Sequence, residues 1–81
     1  MPQVMPNKDS IREHDLAALA KKFREASGKN RAEAARELNI ARPTIVRAEE
    51  EPERSLTKVR IRLIEAYSPY KVAGPYFRLE S

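Results

Sequence analysis

Apolar residues recur at helical spacing along most of this chain and give way to a strand-like run near its end. Residues 1–8, which include Pro2 and Pro6, show no period and read as a flexible N-terminal arm. Ser10 followed by Glu13 forms a capping box, in which hydroxyl and carboxylate satisfy orphan backbone donors, so a first helix is expected from there. Leu16, Leu19, Ala20, Phe23 and Ala26 share one face, while Lys21, Lys22, Arg24 and Glu25 fall mostly elsewhere. Gly28 supplies the stop, because glycine takes left-handed backbone after a helix end without steric cost.

Asn30 and Glu33 repeat the capping signature, and Ala34, Ala35 and Leu38 make a narrow seam on a second, shorter helix. Asn39 follows; after glycine it is the residue that best tolerates positive φ, so it suits a tight turn between helices. A third helix is expected from Arg42 or Pro43 to about Glu50, with Ile45 and Ala48 inward and Thr44, Val46 and Arg47 on other faces. Pro43 fits only near its start, where a missing N–H costs nothing.

The charged stretch Glu50-Glu51-Pro52-Glu53-Arg54 reads as a loop ending at Ser55, the expected N-cap of a fourth helix. Leu56, Val59, Leu63, Ile64 and Tyr67 supply the buried face of that helix; Ile61 lies off the stripe, either covered by the tail or exposed. Lys58, Arg60 and Arg62 read as a basic surface cluster, serving solubility in preference to phosphate contact. Beyond Ser68-Pro69, Tyr70 and Val72, then Gly74-Pro75, then Tyr76 to Leu79 suggest one or two short strands. An isolated hairpin is marginal in water, so this tail must pack on the helices or pair with another chain.

Eighty-one residues suit one compact domain. The expected organisation is an arm (1–8), a helical domain (9–68) and a tail (69–81). Aromatics are scarce and tryptophan is absent, so the core must rest on Leu, Ile, Val and Ala, which favours small, closely packed helices. A net charge of +4 gives a modest attraction for polyanions. Without cysteine there are neither disulfides nor thiolate metal sites, and His14 is the only histidine. His14 therefore reads as a surface residue; an enzyme, a metal site and a cofactor are not expected. No apolar run approaches the length of a membrane span, and Met-Pro-Gln-Val-Met-Pro lacks the order of a secretory signal, so a cytoplasmic location without membrane contact is expected.

A short helix, a tight turn and a helix that opens with polar residues is the arrangement that sends the second helix into a major groove. Side chains on its first turn and exposed face, here Arg42, Pro43, Thr44 and Arg47, then meet the DNA. Residues 30–49 resemble the helix-turn-helix of the phage repressor and Cro family, also called the Xre family, with Ala35, Leu38, Ile40, Thr44, Ile45 and Glu49 in register. The likeness covers that motif strongly and residues 12–67 more loosely. It implies an all-α, lambda-repressor-like domain of four to five helices with a short β-like C-terminal tail, acting as a sequence-specific double-stranded DNA-binding regulator, a repressor. By the same resemblance Arg42, Pro43 and Arg47 occupy base-contacting positions, and Arg31 and Thr44 phosphate-contacting ones.

The chain departs from the family pattern at four places. Arg31 stands for a glutamine, and can serve phosphate as a charged donor. Asn39 stands for a glycine. Ala41 replaces a capping Ser or Thr, a loss of about 1 kcal/mol. Glu50, Glu51 and Glu53 occupy a loop that in the family offers glycine and basic residues to the backbone, and would repel phosphate if aimed at it. Arg54 and Lys58 offer backbone contacts past that loop, or are ordinary surface charge. Family members dimerise over half-sites about 34–36 Å apart, so a homodimer is expected, with the aromatic tail as its contact or, equally, as part of the monomer's core. The rival reading is an antitoxin-type interaction module whose tail, Tyr70 to Leu79, adds a strand to a toxin or other protein partner. RNA binding ranks third, because no aromatic stacking platform is evident.

Overall fold

A computed structural model describes residues 13–73 and 78–80 of the chain. The N-terminal arm, the Ser10 capping box and the Gly74-Pro75-Tyr76-Phe77 segment lie outside the described residues. Four helices, α1 (Glu13–Ala26), α2 (Arg31–Leu38), α3 (Arg42–Glu50) and α4 (Thr57–Tyr67), precede two short strands, β1 (Lys71–Ala73) and β2 (Arg78–Glu80). The strands pair antiparallel, Lys71 opposite Glu80, Val72 opposite Leu79 and Ala73 opposite Arg78. The fold is all-α with a β-hairpin tail, and α2, a tight turn and α3 form its helix-turn-helix.

Local chemistry sets each boundary. Gly28 takes φ 74° and its N–H reaches back to Glu25 O (3.0 Å), closing α1. Asn30 caps α2 in both directions: its Oδ1 accepts from the Glu33 N–H (2.8 Å), and its own N–H donates to Glu33 Oε1 (2.9 Å). Asn39 sits in left-handed backbone at φ 56°, ψ 48°, and the N–H groups of Asn39 and Ile40 both return to Ala35 O. α3 then starts behind Ala41, which supplies no side-chain cap, with Pro43 in its first turn. One boundary differs from the sequence expectation: Leu56, not Ser55, is the N-cap residue of α4, and no side-chain cap forms there.

The core gathers Leu16, Leu19 and Ala20 from α1, Ala34 from α2, Ile45 and Ala48 from α3, Leu63 and Ile64 from α4, and Leu79 from β2. Each fully buried Leu or Ile contributes about 1.5–3 kcal/mol of transfer free energy; α1 and α4 pack most extensively on each other, and α3 rests against α1, α2 and α4 alike. Phe23, Val59, Ile61, Tyr67 and Val72 ring the cluster, which settles Ile61 as a covered residue. Ala26, expected on the buried stripe, is exposed in the last turn of α1.

The tail packs on the helices: Leu79 is buried, and the rings of Tyr70 and Phe23 lie 6.0 Å apart and tilted by 47°. Glu65 of α4 also accepts the Val72 N–H (3.0 Å).

The charges deviate most from the sequence pattern. Arg24, read as a surface residue, is 5% exposed. Arg60, read as part of a basic surface cluster, is 0% exposed, and Arg62 donates to Leu38 O (2.6 Å), behind the last turn of α2. Lys58 alone of those three stays exposed without a partner among the described residues. Burial of these guanidiniums is tolerated because their donors are met: no buried side-chain nitrogen or oxygen among the described residues lacks a partner.

Candidate nucleic-acid interface

The outer face of α3 carries Arg42, Pro43 and Arg47 exposed and Thr44 and Val46 half-buried, while Ile45 and Ala48 anchor the opposite face at 0% exposure. Neither Arg42 nor Arg47 makes an ion pair or side-chain hydrogen bond among the described residues. Next to Arg47 lies an open depression of about 430 Å³ lined by Thr44, Arg47, Arg54, Ser55 and Leu56. It adjoins a second hollow at the start of α4, lined by Ser55, Leu56, Thr57, Lys58 and Val59. Two guanidiniums, an ammonium and three hydroxyls therefore follow one another from α3 to the first turn of α4, a donor-rich strip suited to anionic oxygens.

Glu49 and Glu50, which end α3, and Glu51, its C-cap, do not oppose that strip as bare charges. Glu49 is fully buried and accepts from Arg24 Nε (2.7 Å), Arg24 Nη2 (2.9 Å) and Arg31 Nε (2.9 Å). Arg24 Nη1 adds a bond to Lys29 O (2.7 Å), which ties the loop before α2 into the same cluster. Glu50 receives Lys21 Nζ at 2.8 Å and the Arg31 guanidinium. The hydrogen bond from Lys21, then that from Arg31, holds the Glu50 carboxyl below its ordinary range. Glu51 accepts from Arg54, whose pKa is raised first by that bond and then by the Glu51 charge. Glu53 remains exposed.

The structure brings together some of the expected contacts and not others. Arg47, Thr44 and Arg54 line one depression, and Lys58 follows in the adjoining one. Arg42 and Pro43 share the exposed face of α3 with Arg47. Arg31 is set apart: it opens α2, and Glu49 and Glu50 hold its guanidinium, with the Glu49 hydrogen bond the largest cause of its raised pKa. Sequence reasoning gave no place in the strip to Ser55, Thr57 or Arg60; Thr57 lines the second hollow. Ser55, read only as a cap, lines both hollows, and Arg60 holds the loop behind them. A cue for Ser55 was its place between Arg54 and Lys58; nothing in the hydropathy pattern marks Arg60.

Among the described residues no group of three or more His, Cys, Asp or Glu side chains gathers as metal ligands would. His14 is exposed on α1. No helix among the described residues is long and apolar enough to cross a membrane. No family model, curated protein or solved structure matches this chain.

Proposed function

We propose that this chain is a sequence-specific double-stranded DNA-binding protein that inserts α3 into the major groove and regulates transcription as a repressor of the Xre type. The observation that carries the reading is a segregation of charge around α3. Its exposed face presents Arg42 and Arg47 without partners among the described residues, while Glu49, Glu50 and Glu51 beyond it are each engaged by cations. A helix about 10–12 Å across fits a groove about 12 Å wide, and a guanidinium pairs bidentately with guanine O6 and N7. Thr44, Arg54, Ser55 and Lys58 then lie where the flanking phosphates would run, fixing register without reading sequence. The short reach of one such unit supports binding as a homodimer over two half-sites about 34–36 Å apart.

Selection of bound sequences from a random duplex pool tests the proposal. It is expected to enrich sites with at least one G·C pair per half-site, bound with a steep dependence on salt. Arg42→Ala should leave the fold intact and flatten base preference by about 1–3 kcal/mol at one position, read as the affinity ratio between the selected and base-exchanged duplexes. Retention of no duplex of any sequence, or retention indifferent to salt, overturns the proposal.

A further inference from the structure

Arg60 is the largest fully buried side chain among the described residues, and it is charged. Its three nitrogens each donate to a backbone carbonyl: Nε to Ala48 O (2.8 Å), Nη1 to Arg54 O (2.8 Å) and Nη2 to Glu51 O (2.7 Å). Those carbonyls belong to the last turn of α3, to its C-cap and to the residue directly before Ser55. One rigid planar fork thus fixes both ends of the loop that joins α3 to α4.

Arg54, Ser55 and Leu56 are the loop part of the depression's lining, which Thr44 and Arg47 of α3 complete, and the fork holds that stretch through the Arg54 carbonyl. Drawing three carbonyl oxygens inward also removes their lone pairs from the side an anion would approach. The buried cation stands, moreover, at the C-terminal end of α3, where the helix dipole carries partial negative charge that would otherwise repel phosphate. Loop hydrogen bonds of the same kind, Arg54 N–H to Glu51 O (3.0 Å) and Leu56 N–H to Arg54 O (2.9 Å), complete a compact turn around the guanidinium.

We infer that Arg60 is a positioning residue for DNA-backbone recognition, holding the Arg54–Leu56 wall in the shape that seats a phosphate; the inference rests on the DNA-binding reading above. Lysine at this place keeps the charge but offers a point donor in place of a fork, so it cannot hold three acceptors in one plane. The full-length chain and its Arg60→Lys variant are titrated with an end-labelled mixed-sequence duplex across a salt series, each well below its own Tm. Each phosphate contact contributes a slope of about −0.9 in log K against log salt. Arg60→Lys is expected to make the slope shallower by at least about 0.9, the loss of one contact. The affinity ratio between G·C-containing and A·T-only duplexes, set by Arg42 and Arg47, should stay as it was.

A residue with a purely structural role lowers Tm and leaves both the slope and the ratio unchanged; that outcome overturns the inference while the DNA reading stands. Absence of salt-dependent binding by the unsubstituted chain overturns both. Should Arg60→Lys fail to fold, amide hydrogen exchange on the unsubstituted chain decides. Arg54 and Leu56 amides as protected as those of α4 support a held loop, and loop amides exchanging freely beside a protected α4 overturn it.

Discussion

The two ends of α3 are built on opposite plans. At its C-terminal end, Glu49 joins Arg24 of α1 to Arg31 of α2, Glu50 adds Lys21, and Arg60 of α4 gathers the carbonyls of Ala48 and Glu51. At its N-terminal end, Ala41 offers no cap, Pro43 has no N–H to satisfy, and Arg42 is exposed without a partner among the described residues. Every other helix is thus tied to one end of α3, while little holds the other end beyond the Asn39 turn and Ile45. For a helix proposed to enter DNA that asymmetry is useful: anchoring one end fixes its direction, and the unpaired Arg42 guanidinium at the other leaves charged donors for a ligand.

The sharpest way to break the comparison is to remove the anchor. Glu49→Ala leaves the buried Arg24 and the half-buried Arg31 without their shared carboxylate, and truncating one member of a buried ion pair costs about 3–5 kcal/mol. Denaturant unfolding monitored by circular dichroism should show a loss of that size. A loss under about 1 kcal/mol would mean that packing alone orients α3.

The free end can be sharpened instead. Ala41 has φ −59° and ψ 135°, extended enough for a capping hydroxyl. Because Pro43 has no N–H and the Thr44 N–H already reaches Ala41 O (3.0 Å), Ala41→Ser should raise stability by only about 0.5 kcal/mol in the same assay. A neutral or destabilising result would show that the bond from the Thr44 N–H to Ala41 O leaves a capping hydroxyl nothing to add.

Acid should affect the anchored end first and the free end not at all. The folded-state pKa of Glu50 lies below its unfolded value, so the stability it contributes is present above the unfolded pKa and lost as pH falls through the folded one. Glu50→Gln is expected to flatten the stability profile below about pH 4.5, the ordinary carboxylate range, by a small amount because the side chain is 44% exposed. Equal acid sensitivity in both proteins would remove Glu50 from the anchor.

Much of this arrangement was legible in the sequence wherever backbone chemistry and apolar spacing decide it. Asn30 with Glu33, Asn39, and Pro43 behind an uncapped Ala41 mark the limits of α2 and α3, because caps and positive φ act over three or four residues. The exposed face of α3 was legible for the same reason. Buried charge was not. Arg24 and Glu49 are 25 residues apart in sequence, and a hydropathy pattern assigns both to the surface. Arg60 lies between the partly buried Val59 and Ile61, and the three carbonyls meeting its guanidinium make its burial tolerable, which no hydropathy pattern signals. The acidic loop looked hostile to phosphate because its cations, Lys21, Arg31 and Arg54, are supplied largely by other elements. Ser55 failed as a cap for a smaller reason: α4 begins one residue later than the polar signal suggests.

The bond from the Val72 N–H to Glu65 also bears on the outer edge of β1. A short terminal hairpin ordinarily offers its outer edge as a template on which identical chains can stack into fibrils. Here a carboxylate already occupies a donor of β1, so a newcomer must displace a charged group before it can add. That obstacle is placed on α4 and not on the strand it borders, and it acts at the single position of Val72.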